Sequence, residues 1–239
     1  MIVDEIKKII SGEVSAEPKM LEDYSTDASI FKITPQAVIF PKNTEDVRQL
    51  VKWAKERHAT GDMVSLTARS AGTDMSGGPL NDSVIVSFIK YFNHIKEIRD
   101  DYAIVEPGVY FRDLEKELDA RGLLYPPYPA SKDLCAVGGM ILNNSGGEKT
   151  LAYGKTEDYV ESLKIILSDG EEYELKPLSR DELLEKTGGK SFEGELYRRL
   201  YELVEKNYDE IQRAKPDVSK NSAGYALWDI WDRTTFNLV

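Results

Sequence analysis

The sequence predicts an α+β protein of two packed lobes. Two observations carry that expectation. Strand and helix signals alternate through the first half of the chain, as in an α/β unit, and a hairpin signal at Asp169-Gly170 brings antiparallel pairing later. The 239 residues suit one large domain or two small ones, and neither an internal repeat nor a low-complexity segment interrupts them.

The N-terminal Met1-Ile2-Val3-Asp4-Glu5-Ile6-Lys7-Lys8 reads as a short amphipathic helix. It carries acids where a secretory signal would be basic and then apolar. Beyond Pro41, Asn43 or Thr44 can cap a helix whose apolar positions Val47, Leu50, Val51 and Ala54 follow the i, i+3, i+4, i+7 spacing of one buried stripe. A second helix is expected from Phe111 to Arg121, with Leu114 and Leu118 on one face and Gly122 as its stop. A third is expected over Arg180–Lys186. A long charged one is expected over Phe192–Ala214, with Leu196, Leu200, Leu203 and Val204 inward. Strands are expected at Ala37–Phe40, Met63–Thr67, Ser83–Phe88, Ala103–Glu106 and Val160–Leu167. The runs Val84-Ile85-Val86 and Ile165-Ile166-Leu167 suit strands covered on both faces. Tyr173 and Leu175 alternate with acids beyond Asp169-Gly170, as in a hairpin.

Composition narrows the function. Lys and Arg number 31 against 42 Asp and Glu, a net charge of −11. With no dense basic cluster, a general nucleic-acid binder is excluded. A hydrophobic fraction of 41% supports a real core. The one cysteine, Cys135, has no internal disulfide partner, which suits a reducing compartment. No apolar run reaches the roughly 18 residues that span a bilayer. The expectation is a soluble, cytoplasmic protein, with peripheral membrane attachment left open. No Cys/His cluster points to a metal.

Two glycine-rich segments carry the chemistry. The first, Arg69-Ser70-Ala71-Gly72-Thr73-Asp74-Met75-Ser76-Gly77-Gly78, follows a predicted strand. Glycine permits positive φ and close approach, and successive N–H groups in such turns make a concave anion site to which Thr73 and Ser76 add hydroxyls. It is neither a Gly-Lys-Ser/Thr nucleotide loop nor a Gly-x-Gly-x-x-Gly fingerprint, and an ordinary surface loop is the competing reading. The second, Ala136-Val137-Gly138-Gly139-Met140-Ile141-Leu142-Asn143-Asn144-Ser145-Gly146-Gly147, is a small-residue stretch able to lie flat against a planar aromatic ligand. Further turns occur at Glu106-Pro107-Gly108-Val109, Tyr153-Gly154 and Lys220-Asn221-Ser222-Ala223-Gly224-Tyr225. A long ligand threaded between lobes would use such a set.

In order along the chain, these pieces resemble the flavin-binding domain shared by vanillyl-alcohol oxidase and p-cresol methylhydroxylase, in its glycolate oxidase and D-lactate dehydrogenase branch. Tyr24-Ser25-x-Asp27, Pro35-x-x-Val38-x-x-Pro41 and Cys135-x-Val137-Gly138-Gly139 belong to the same ordered set, which covers about residues 20 to 228. The resemblance implies a two-lobed fold of the p-cresol-methylhydroxylase type. One lobe, 1–95, has a small parallel or mixed sheet and the pyrophosphate loop. The other, 96–239, has a larger mixed or antiparallel sheet. It implies FAD, with Arg69, Ser70, Ala71, Gly72, Thr73, Asp74, Ser76 and Gly77 around the pyrophosphate and Pro107, Gly108 and Val109 on the nucleotide side. Gly138, Gly139, Asn143 and Gly146 would face the ring or its ribityl chain, with Cys135, Val137, Asn144, Gly147, Tyr153 and Gly154 completing the set. Some relatives tether the flavin through a histidine in the pyrophosphate loop. Here that loop has none, and His58 and His94 lie elsewhere, so FAD is expected to be non-covalent.

The implied reaction is hydride transfer from a 2-hydroxy acid such as glycolate or D-lactate to flavin N5, a chemistry that the cofactor supplies. No catalytic residue is assignable. Tyr125, Tyr128 and Tyr153 read as ring neighbours or as packing, Cys135 as a modulator of the flavin or an inert buried thiol, and Arg69 as an anion contact or a structural ion pair. Relatives continue past the Asn-x-Ala-Gly-Tyr piece with Gly-Ser-x-Gly-Thr-Leu-Gly and a substrate-capping domain, neither of which follows Tyr225. The alternative is therefore a catalytically incomplete FAD-binding module or one subunit of a split enzyme. The apolar tail of Trp228, Ile230, Trp231, Phe236 and Leu238 reads either as a surface for a partner chain or self-association, or as part of the chain's own core. A reductase of cell-wall synthesis on the same flavin fold is a weaker reading.

Overall fold

The structure, a computed structural model, describes residues 2–218, 221 and 225–239. By contacts the chain forms two compact units. One runs up to Thr156 and includes Ser168–Glu171; the other comprises Glu157–Leu167 and Glu172–Val239.

The first unit begins with α1 (Ile2–Ile9), β1 (Glu13–Ser15), α2 (Pro18–Asp23), β2 (Ala37–Phe40), α3 (Thr44–Ala59), β3 (Leu66–Arg69) and β4 (Val84–Ser87). The hairpin of β5 (Ile95–Ile98) and β6 (Ala103–Val105) follows, then α4 (Phe111–Asp119), α5 (Val137–Leu142) and α6 (Thr150–Tyr153). The main sheet has the order β1-β2-β4-β3. The last three strands are parallel and β1 is antiparallel on the edge. Its interior strands β2 and β4 are buried at every residue, as the runs Val38-Ile39 and Val84-Ile85-Val86 demand of strands covered on both faces.

Helix α3 starts where its cap is: the Asn43 side chain accepts the Asp46 N–H at 3.0 Å. Its stripe, Leu50 and Trp53, packs with Ile6 of α1 and with Ile39, Val84 and Val86 of the sheet. Each such aliphatic side chain contributes about 1.5–3 kcal/mol on burial. Asp46, almost fully buried, accepts the backbone N–H groups of Ser11 and Lys42, both at 2.8 Å, and so fastens the α1–β1 turn to α3.

Two expectations for this unit need correction. Strand β3 begins at Leu66 rather than Met63, because its ladder with Val84 starts there and Met63 points outward. The Ala136–Gly147 segment, expected to be able to lie flat against a planar ligand, does not lie flat along its whole length: its first part coils into α5. The β5–β6 hairpin and α4–α6 cluster with the early sheet, and the compact units divide near residue 156.

The second unit contains β7 (Leu163–Ile166), β8 (Glu172–Leu175), β9 (Leu178–Ser179), α7 (Arg180–Gly188), α8 (Phe192–Lys206), α9 (Tyr208–Arg213), α10 (Leu227–Ile230) and β10 (Thr235–Phe236). Strands β7 and β8 pair antiparallel, as the Asp-Gly hairpin signal predicts, but β7 is only half-buried and is not a strand covered on both faces. Helix α7 carries a complete capping box between Ser179 and Glu182. The long helix expected over Phe192–Ala214 is two helices. Asn207 leaves helical geometry and its side-chain N–H turns back to the Leu203 carbonyl at 2.7 Å. The inner face of α8 is Tyr197 and Val204 with Leu196 and Leu200 packed beside them, while Leu203 is exposed.

The C-terminal tail belongs to this core. Trp231 and Phe236 are buried against Tyr197 and Tyr201, and the Trp231 indole donates to Glu205 at 2.6 Å.

The Tyr197 hydroxyl is buried without a hydrogen-bond partner among the described residues, and burial pushes its phenol up to about 12. Tyr197→Phe removes that orphan, so it is expected to raise stability by about 1 kcal/mol. An upward shift of the urea midpoint at unchanged slope checks this; a clear loss of stability contradicts it.

Candidate functional site

The parallel strands set the site's location. Ligands on such sheets gather beyond the strands' C-terminal ends, and the first glycine segment leaves β3 there. Arg69, the last residue of β3, is bonded to main chain. Its guanidinium donates to the carbonyls of Tyr24 (3.2 Å) and Thr26 (2.8 Å) and lies over the Tyr24 ring at 4.9 Å. No carboxylate forms an ion pair with it among the described residues, and burial pulls its pKa below the ordinary arginine value. Tyr24 is itself held by Ser87 at the end of β4, at 2.9 Å. Arg69 is thus the brace under the loop. Gly72, at φ +70, makes this possible, since a Cβ there would stand 2.5 Å from an Arg69 Nη.

Above the brace the loop is small and neutral. Among the described residues, nothing accepts the backbone N–H groups of Ser70, Ala71, Gly72 and Thr73. Gly77, at φ +84, lies under the ring of Phe31, a contact that the sequence did not signal. The Asp74 carboxylate binds Ser76 and Gly78.

The second glycine segment lies against this loop. A Cβ on Gly139 would approach the Ser70 hydroxyl to 3.1 Å, and the Asn143 side chain, at the end of α5, donates to Asp74 at 3.3 Å. Helix α5 is held from behind by backbone. Gly138 donates to the Pro107 carbonyl at 2.8 Å, Val137 to the Val109 carbonyl at 2.9 Å, and Gly108 to the Phe92 carbonyl at 2.7 Å. A Cβ on Gly138 would sit 2.7 Å from Pro107, and one on Gly108 only 2.2 Å from the Phe88 carbonyl.

The other expected positions divide by environment. Val109, Cys135 and Val137 are buried in a cluster with Phe111, Leu114 and Met140, and burial pushes the Cys135 thiol up. Gly146 and Gly147 wrap Thr150, whose hydroxyl accepts the Gly147 N–H at 2.8 Å. Asn144 has φ +43, Tyr153 is exposed, and Gly154 has φ +83. Tyr125 packs on Phe111 and bonds Thr156 at 3.1 Å, and Tyr128 bonds Glu148 at 2.9 Å. His58 meets the Val64 carbonyl and His94 meets Glu106, so neither histidine is bonded to the loop. Of the Lys220–Tyr225 motif, all but Asn221 and Tyr225 lies outside the described residues. Among the described residues no His, Cys, Asp and Glu cluster could hold a metal, and no helix is long and apolar enough to cross a membrane.

Glu106 anchors the whole support and was not singled out from sequence beyond its motif. Its carboxylate takes the His94 backbone N–H (3.1 Å), the His94 ring (2.8 Å) and Lys96 (2.9 Å). Burial raises its pKa, but the bonds from Lys96 and His94 outweigh this and leave it below the ordinary 4.5.

These residues fit an extended dinucleotide: free N–H groups for a diphosphate, and beside them a shelf at residues 138 and 139 with no side chains. The comparisons agree. Residues 35–176 match the family model described as FAD binding domain. The chain belongs to this family. It is 30% identical over 230 residues to a D-2-hydroxyglutarate dehydrogenase of Pseudomonas putida, covering 95% of this chain and 23% of that protein. It is 36% identical over 153 residues to the glycolate oxidase subunit GlcD of Bacillus subtilis, covering 62% and 31%. Against a D-lactate dehydrogenase of Archaeoglobus fulgidus it is 30% identical over 175 residues, covering 70% and 37%. The chain thus spans well under half the length of these relatives. Solved structures of the same fold include alkyldihydroxyacetonephosphate synthase (TM-score 0.62, 20% identity, 73% of this chain and 34% of that one). Another is 6-hydroxy-D-nicotine oxidase of Arthrobacter nicotinovorans (TM-score 0.60, 23% identity, 70% and 36%). The α+β, two-lobed flavin-domain fold expected from sequence is therefore the fold of this chain, and FAD is its cofactor.

Two measurements test this construction. Gly138→Ala should destabilise by about 1–3 kcal/mol through overpacking against Pro107, and Gly139→Ala by less, since only a rotatable hydroxyl must move. Equal costs in denaturant melts would refute the ordering. Because Glu106 has a depressed pKa in the folded state, its contribution is full above its unfolded value and is lost as pH falls through the folded one. The stability gap between the wild type and Glu106→Gln should therefore shrink on acidification below about pH 4.5. A gap independent of pH contradicts the assignment.

Proposed function

We propose that the chain binds FAD non-covalently and forms the flavin-binding part of an oxidoreductase acting on a small 2-hydroxy acid of the glycolate, D-lactate or D-2-hydroxyglutarate kind. The observation that carries the reading is the meeting of the two glycine segments, Ser70 with Gly139 and Asp74 with Asn143. The bound flavin supplies the hydride-accepting chemistry.

The chain's residues do the rest. The N–H groups of Ser70, Ala71, Gly72 and Thr73 bind the diphosphate, with the Thr73 hydroxyl and Gly77 beside them. Arg69 orients the loop from below and makes no contact with the phosphates. Pro107, Gly108 and Val109 position α5. Gly138, Gly139 and Asn143 admit the ring or its ribityl chain, while Cys135 and Val137 support them from the core. Asn144, Gly146, Gly147, Tyr153 and Gly154 close the segment that follows. In this reading the 1–95 lobe grips the phosphates and residues from 96 onward carry the ring. With no histidine in the loop, nothing there tethers the flavin. A lone buried thiol suits a cytoplasmic setting.

The competing reading is an FAD-binding module that needs another polypeptide for turnover. Such a partner, or a second copy, could use only what the Trp228–Val239 tail leaves outside, because Trp231 and Phe236 already fill the second unit's core.

Reconstitution separates these outcomes. The purified chain incubated with FAD and desalted is expected to be yellow, and acid or heat is expected to release intact FAD, identified by mass. Anaerobic addition of glycolate, D-lactate or D-2-hydroxyglutarate then tests turnover, with bleaching of the visible flavin band expected for at least one. Bound FAD that none of them bleaches favours the module; no bound flavin overturns both.

A further inference from the structure

A carboxylate in a diphosphate-binding loop is electrostatically out of place, and Asp74 sits in the middle of this one. Its Oδ2 accepts the backbone N–H groups of Ser76 (3.2 Å) and Gly78 (2.9 Å) and the Ser76 hydroxyl. Its Oδ1 accepts the Asn143 amide at 3.3 Å, across 69 residues of sequence. The loop is built around it: a Cβ on Gly78 would stand 3.0 Å from Oδ2, and Gly77 makes the turn at φ +84. The Asp74 carbonyl in turn accepts the Ala28 N–H at 3.1 Å. Burial raises the Asp74 pKa, but these donors outweigh it and hold the carboxyl below the ordinary 3.8, so it is ionised at neutral pH.

We propose that Asp74 is a positioning residue, an internal anion that folds the 74–78 turn and fastens it to the end of α5 before the cofactor arrives. By holding the Ser76 and Gly78 N–H groups, it leaves the grip on the diphosphate to residues 70–73. Two consequences follow. The cradle is preorganised, so binding does not bear the cost of ordering it. The Asp74 charge is compensated locally by four donors, so it does not stand bare against the phosphates. The identity of the anion rests on the FAD reading above; the shaping of the turn does not.

Amide NMR of the isotopically labelled full chain, with and without FAD, tests this alongside Asp74→Ala and Asp74→Asn. Without FAD, Asp74→Ala is expected to move the Ser76, Gly78 and Asn143 side-chain amide signals upfield. Asp74→Asn, which keeps an acceptor oxygen, should move them less. With FAD, the amides of residues 70–73 should move most. Asp74→Ala should weaken FAD binding about tenfold or more, the scale of a lost charge-assisted hydrogen bond, and Asp74→Asn should restore most of that loss. Unchanged signals in Asp74→Ala, wild-type affinity in that variant, or FAD moving Ser76 and Gly78 more than residues 70–73 would each overturn the proposal. If the wild type bound no FAD, the functional reading would fail, and the unliganded amide signals would still decide the role of Asp74. Should Asp74→Ala not fold, Asp74→Asn carries the same comparison.

Discussion

Backbone packed on backbone, at positions where a side chain has no room, fixes this site. The Phe92 carbonyl holds Gly108, the Pro107 carbonyl holds Gly138, and Gly139 then faces Ser70. The first two steps require a missing Cβ, and each places the next. The result is a first unit in which a loop from the parallel sheet and a short helix more than sixty residues later are held side by side. Directional hydrogen bonds between main-chain groups are suited to this, because they leave little freedom for the segments to slide.

The electrostatic design follows from the same economy. The chain is strongly acidic, and among the described residues the candidate cradle has no free cation: Arg69 is committed to two carbonyls and an aromatic ring. In the proposed reading, attraction for a diphosphate comes from oriented N–H dipoles, which bind anions without a compensating side-chain charge. Glu106, with Lys96 and His94, balances its own charge at the support and leaves the loop untouched.

Much of this was legible in the sequence, where local chemistry decides the outcome. Asn43 marks a helix start because its side chain bonds the first turn, and Val84–Val86 marks a central strand because only two covered faces accept such a run. The glycine loop after β3 was equally plain. Other features depend on distant partners. Glycine-rich α5 has poor intrinsic propensity and forms because Pro107 and Val109 receive its first N–H groups. Strand β1, three residues long, exists because Phe40 and its neighbours offer it an edge. Tyr197, not Leu203, faces inward on α8 because Phe236 packs there. The roles of Asp74 and Arg69 were invisible for the same reason: charged residues in a loop announce a charge and not its partner.

Hydrogen–deuterium exchange on the full chain, with and without FAD, tests the central claim most directly, because it reads both glycine segments at once. The account predicts slowed exchange in the peptides covering residues 70–73 and 137–143, together and at the same FAD concentration. Protection of one segment without the other, or of neither while flavin is bound, would contradict it.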